Sequence, residues 1–371
     1  MARNYRIIDA DGHVLEPMDR WREYIDPAYA EAAPTLFIDE KNRQQLKIGG
    51  VEYRLSEGVG VVGSSDARTT GQHSEAYEDG RPGGFDPHAR LKDMDIDEID
   101  AAFLYPSIGL GFGGIEDAPL AAAVCRAYNR WLADYCRADP ERLFGVALLP
   151  MHTPELAVRE LEFARKQLGF RAALVHPSPA MDGRLPHHAD NDRLWAVAQD
   201  LDVAIALHGG LRKLLPPFLS FEKFPGRAAQ HLLHHTIGMM LGATSMIWHG
   251  VCDRFPRLRV GFMEAGGGWF AGWLDRMDRH FDDVGMNDSG LQLRPSEYFQ
   301  RQCWIAFEPV ERSLGALAEL IGPEKILWAT DYPHPDGFFP GAPRMIRNVP
   351  GLAPATADVI LSAGARAFYR L

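Results

Sequence analysis

Residues 5–17 read YRIIDADGHVLEP, an apolar run through Ile7 and Ile8 that passes directly into Asp9, Asp11 and His13. Side chains two apart on a strand point to the same side. Asp11 and His13 therefore face one cavity together, as two ligands of one metal ion do. The competing reading is a polar loop that caps a strand, with Asp11 bonding its own backbone. The rest of the chain decides between them.

Seven further runs rich in Val, Ile, Leu and Ala follow: DAAFLYPS (100–107), LFGVALLP (143–150), FRAALVHPS (170–178), DVAIALHGG (202–210), LRVGFMEAGGG (258–268), QCWIAFEP (302–309) and KILWATDYPHPD (325–336). Continuous apolar strands that alternate with helical patterns imply a parallel sheet covered on both faces. Eight such units predict an α/β fold, a (β/α)8 TIM barrel, as a single domain over 1–371. The intervening helices carry their own punctuation. Asp117 and Pro119 open one, Thr153 and Pro154 open a second that stops at Gly169, and Asn191 stands in a capping place before a third. Residues 37–86 break the pattern and read as an inserted hairpin and loop region after the first strand. The stretch APATADVILSAGARAFYRL (353–371) reads as one C-terminal closing helix.

A formal charge of −11 argues against a nucleic-acid or anionic-membrane partner, since both require basic patches. The four cysteines, Cys125, Cys136, Cys252 and Cys303, are scattered without metal-ligand or disulfide-framework spacing, and no apolar run is long enough to span a bilayer. The expectation is a cytoplasmic protein that acts on a small molecule.

In such barrels the chemistry sits at the carboxyl ends of the strands. There the sequence places Asp11 and His13 on strand one, His176 on strand four, His208 on strand five, Glu264 on strand six and Asp331 on strand eight, with His334 three residues later. Asp, Glu and His are the donors that hold zinc, iron or manganese, and their collection at one face favours the metal reading of Asp11 and His13. His176 also admits a plainer role, held by a backbone carbonyl beside Pro177. Other histidines read as structural or solvated: His249 at a helix end, His231, His234 and His235 on an outer helix face, His187 and His188 in a polar connection, and His73 in the insertion. Arg212, Lys213, Phe218, Phe221, Phe338 and Phe339 suggest a mouth suited to an apolar carbon skeleton that bears a carboxylate or another acyl function, with ordinary loop residues as the alternative.

The first-strand motif, LHGG, GVCDRFPRLRV, EAGGGW and ILWATDYPHP together resemble the metal-dependent amidohydrolase superfamily, in the branch that includes aminocarboxymuconate-semialdehyde decarboxylase and γ-resorcylate decarboxylase. The resemblance implies a (β/α)8 barrel, one or two divalent ions and a homodimer. It assigns Asp11, His13, His208 and Asp331 as ligands, with Asp331 also passing a proton to and from the reacting group. His334, or His249, would stabilise a developing oxyanion. Decarboxylases of that branch carry a histidine where this chain has Glu264. On that substitution we expect a hydrolase that turns a metal-activated water on an amide, ester or thioester carbonyl of a largely apolar acyl substrate, esterase or thioesterase action included. Glu264 then serves as a base, or joins His176 and His208 around a second ion. Non-oxidative decarboxylation of an aromatic or unsaturated carboxylate is the alternative, and a ligand-binding barrel without catalysis is the third reading.

Overall fold

All eight apolar runs become strands of one parallel sheet. The computed structural model describes residues 4–42, 44–53, 76–209 and 227–371. In chain order the barrel strands are β1 (Ile8–His13), β5 (Ala101–Tyr105), β6 (Leu143–Leu148), β7 (Ala172–Val175), β8 (Ala204–Leu207), β9 (Val260–Phe262), β10 (Cys303–Phe307) and β11 (Ile326–Trp328), paired in that sequence. Between them β2 (Thr35–Ile38), β3 (Gln44–Ile48) and β4 (Val51–Tyr53) form a separate antiparallel sheet inside the expected insertion. Most of the remaining insertion, residues 54–75 and with them His73, lies outside the described residues.

The barrel closes without a ladder between β11 and β1. Residues just past β11 bridge the gap: the Asp331 amide donates to the Asp11 carbonyl (3.2 Å) and the His13 amide to the Tyr332 carbonyl (2.6 Å). Closure therefore falls at the two motifs that carry most of the ligand-type residues.

The helix signals act as expected at two of three starts. Asp117 caps Ala118–Cys136 by accepting from the Leu120 amide, Thr153 caps Pro154–Leu168 by accepting from the Leu156 amide, and Gly169 ends the latter at φ +77°. Asn191 precedes the helix Asp192–Asp200 but makes no side-chain cap, because its Oδ1 accepts from the buried Arg184 (2.9 Å). The C-terminal stretch is two helices, Pro354–Ile360 and Ala363–Tyr369. The chain must turn between them so that Gly364 can lie against the Ile326 carbonyl, where any Cβ would collide with the main chain of β11. The four cysteines are buried thiols, and among the described residues no helix is long and apolar enough to cross a membrane.

Candidate metal centre and barrel mouth

The end of β1 is irregular, with its register against β5 shifting between Asp9 and Gly12. Asp9 anchors the chain at this irregularity. It accepts from the Thr330 amide (3.0 Å), the Thr330 hydroxyl (2.5 Å) and the Asp11 amide (3.3 Å), and lies 3.6 Å from Arg90 Nη2. A Cβ on Gly12 would run into Arg90 and Asp9, so only glycine leaves room for that buried pair. Arg90 in turn donates to the His13 carbonyl (2.8 Å). Asp9 and Arg90 thus set the backbone that presents Asp11 and His13. Sequence reading missed both, although Asp9 stood in the quoted motif.

Asp11, His13 and His208 come together, with ligand atoms all within 4.8 Å of one another and all three side chains buried. His13 Nδ1 donates to the Pro106 carbonyl (2.8 Å) and His208 Nδ1 to the Gly209 carbonyl (2.9 Å). A carbonyl cannot donate, so both rings keep an Nε2 lone pair for a further partner, the usual way a protein orients a ligating histidine. Both Nε2 atoms and both Asp11 carboxylate oxygens are buried without a hydrogen-bond partner. Orphaned acceptors in such a place cost a few kcal/mol each unless something satisfies them. A divalent cation does so for all of them at once, and the donor set fits one.

Glu264 and Asp331 complete the wall. Each is a non-glycine residue in the left-handed region, at φ +42° and +52°, a conformation that costs about 1–3 kcal/mol and is kept where geometry demands it. Glu264 Oε2 lies 2.8 Å from His208 Nε2 and 4.0 Å from His13 Nε2, while Asp331 Oδ1 is 3.3 Å from His13 Nε2. Burial lifts the Asp11 carboxyl to about 6 against the pull of His208. Burial, reinforced by Glu264, Asp336 and Asp11, holds Asp331 well above the carboxylate range. Burial pushes Glu264 the same way, but His235, His208 and His13 outweigh it and keep that carboxyl low.

His334 differs from its expected place. It is 2% exposed and stands behind Asp331 rather than facing the mouth. Its Nδ1 donates to Asp331 Oδ1 (2.8 Å), so its Nε2 accepts from the Ser107 hydroxyl (2.7 Å), and its ring stacks on His13 at 4.0 Å. Ser107 sits in the quoted DAAFLYPS run, yet nothing in the sequence distinguished it from a strand-end turn. The buried Glu16 accepts from the Ser107, Ile108 and Gly109 amides and fixes that turn.

His176 does not join the others. Its Nδ1 donates to the His208 carbonyl (3.2 Å), the plainer role admitted from sequence, and it lines a separate small cavity with His152, Arg184 and Asn191. It belongs to none of the clusters of ligand atoms found among the described residues. His249 is exposed and stacks on His187, away from the mouth.

His231 and His235 depart furthest from expectation. They lie on the helix Arg227–Ala243, and together with Glu264 they line the mouth cavity of about 470 Å3. Gly238 and Gly242 lie on the same stripe, and a Cβ on Gly242 would press on Pro177 and Leu207 at the barrel rim. Positions 231, 235, 238 and 242 make one helical face, so the face that packs on the rim continues past it and overhangs the opening. His235 Nδ1 donates to the Glu264 carbonyl (2.8 Å) and stands 3.7 Å from Glu264 Oε1. Phe338 lines the cavity as expected, whereas Phe339 is packed against Tyr332 and Arg81. Arg212, Lys213, Phe218 and Phe221 fall outside the described residues.

Comparison with known proteins adds the family. The chain is 25% identical over 296 residues to a 2-amino-3-carboxymuconate-6-semialdehyde decarboxylase of Dictyostelium discoideum, covering 77% of each. It is 30% identical over 241 residues to a γ-resorcylate decarboxylase of Polaromonas sp., covering 59% of this chain and 68% of the relative. A crystal structure of a dihydroxybenzoic acid decarboxylase from Polaromonas sp., with bound manganese and the inhibitor 2-nitroresorcinol, superposes with a TM-score of 0.68 at 21% identity over 98% of this chain and 97% of that one. The expectation of hydrolysis is thereby overturned, since these relatives are decarboxylases. It had rested on Glu264 replacing one histidine, and the structure brings the His235 imidazole to Glu264 from a helix instead. A family model described as amidohydrolase matches residues 8–371, and the chain belongs to that family.

Proposed function

We propose that this protein is a metal-dependent non-oxidative decarboxylase of an aromatic or unsaturated carboxylate. The observation that carries the reading is the buried line Ser107–His334–Asp331, which ends in the Asp331 carboxyl beside the Asp11, His13 and His208 donors. Loss of carbon dioxide breaks the bond between ring or alkene carbon and carboxylate and leaves the electron pair on carbon. The enzyme must then deliver one proton to that carbon. Asp331 is the candidate donor: burial and the neighbouring Glu264, Asp336 and Asp11 carboxylates raise its affinity for a proton, and the chain through His334 to Ser107 orients the group.

Asp11, His13 and His208, with Asp331 beside them, would hold the divalent ion, which supplies the positive charge that anchors and polarises the substrate's carboxylate or phenolate oxygens. Ala306, Phe307, Ala329, Leu232 and Phe338 offer the carbon skeleton an apolar wall. No Lys or Arg lines this cavity among the described residues, which suits a substrate whose negative charge is met by metal.

The test is to incubate the manganese-loaded protein with γ-resorcylate and with 2-amino-3-carboxymuconate semialdehyde in deuterated water and, in parallel, in oxygen-18-labelled water. Carbon dioxide release with one deuteron at the vacated carbon is the expected result, and Asp331→Asn should slow it by about 10^2–10^4. Oxygen-18 from water appearing in the product, without carbon dioxide, would overturn the reading.

A further inference from the structure

We propose that His231, His235 and Glu264 hold a second divalent cation at the outer edge of the mouth, with Glu264 bridging the two ions through its two oxygens. This goes beyond the decarboxylase reading and does not depend on the reaction catalysed.

Glu264 is the hinge of the argument. Its Oε2 addresses His208 Nε2 at 2.8 Å and His13 Nε2 at 4.0 Å, inside the first donor set, whereas its Oε1 lies on the other side, 3.7 Å from the Nδ1 of His235 that is held by the Glu264 carbonyl. The two oxygens of one carboxylate thus face two separate groups of imidazoles. The strained backbone at Glu264 puts the side chain in that position. The ligand atoms of His231, His235 and Glu264 all lie within 4.8 Å of one another. Ligands on one ion at about 2.1 Å sit about 3–3.4 Å apart in octahedral or tetrahedral geometry, so small side-chain rotations close the set.

The outer imidazoles are oriented as the inner ones are. His235 Nδ1 donates to the Glu264 carbonyl, as His13 and His208 donate to theirs, leaving the Nε2 lone pair for a ligand. His231 Nε2 lies 3.3 Å from Asp336 Oδ2, the carboxylate partner that a ligating histidine commonly has. Two imidazoles and a carboxylate suit zinc, iron(II) or manganese.

Charge points the same way. Six carboxylates line the mouth cavity and no Lys or Arg does among the described residues. Glu311 is spent on the Gly267, Gly268 and Glu308 amides. One divalent ion at the inner set leaves the outer carboxylates facing one another across the mouth, and a second ion removes that repulsion.

The deciding experiment titrates metal-stripped protein with Mn2+ alone, without substrate, and counts bound ions by elemental analysis and by the exchange-coupled electron paramagnetic resonance signal of a manganese pair. Two ions per chain with a coupled signal are expected. His231→Asn, a side chain one-third exposed and therefore safe for folding, should bind one ion with an uncoupled signal, and His235→Gln should do the same. A wild-type count of one at saturating Mn2+, or a count of two that survives both substitutions, overturns the proposal. Because the count is read without turnover, its failure and a failure of the decarboxylation assay are independent results.

Discussion

His13 and His208 on the strands, and His231 and His235 on the helix that follows β8, all end at one barrel mouth, yet only the first pair was legible as part of it. A strand fixes which way each side chain points by counting in twos, so a residue at the end of a barrel strand has few places to go. A helix presents every direction within two turns. Which face meets the barrel depends on where the helix starts, and that depends on the connecting segment. Here residues 210–226 intervene between His208 and the helix, and the packing stripe that ends at Gly242 reaches beyond the rim to His231. The inner pair is specified locally and the outer pair by tertiary placement.

The sharpest test of that distinction is His208→Ala. It should remove the inner ion and lower turnover by about 10^3–10^4, or about 4–5.5 kcal/mol, while His231→Asn keeps the inner ion. If both variants retain the same single ion, the inner assignment fails. The next effect concerns what holds the inner set in place. Arg90→Met leaves Asp9 buried without its cation and should cost about 3 kcal/mol of stability, measured by urea unfolding. A loss below about 1 kcal/mol would show that the Thr330 bonds alone hold Asp9.

The fold was largely legible because each strand is a continuous apolar run bounded by Gly, Pro or Asp, and because eight of them admit few arrangements. The strand-end carboxylates and histidines followed from it. What stayed hidden has a common physical cause. Asp9, Arg90, Ser107 and Glu16 act through bonds that span tens to hundreds of residues, such as Thr330 to Asp9, and neither spacing nor composition records such pairings. His176 shows the reverse error. It stands at a strand end, as His208 does, but its side chain serves a neighbouring carbonyl and a different cavity. Strand-end position is therefore necessary for the inner set and insufficient to define it. Glu264 misled at the level of chemistry, since one substituted position was weighed without the imidazole that the helix supplies beside it.

The smallest expected effect separates a residue that touches the reacting proton from one that only orients it. Ser107 reaches Asp331 through His334, and its hydroxyl holds the His334 ring at Nε2 while Asp331 holds it at Nδ1. Ser107→Ala removes that constraint and leaves the Asp11, His13 and His208 set untouched. It should reduce kcat by about 10–100-fold, as loss of an orienting partner commonly does, with KM and metal content unchanged. Because His334 then loses its hydrogen-bond partner at Nε2, the dependence of kcat on pH should shift as well, and Ser107→Thr, which restores the hydroxyl, should recover both. An unchanged pH profile with lowered metal content would instead place Ser107 among the supports of the turn that Glu16 holds, and the proton route would end at Asp331.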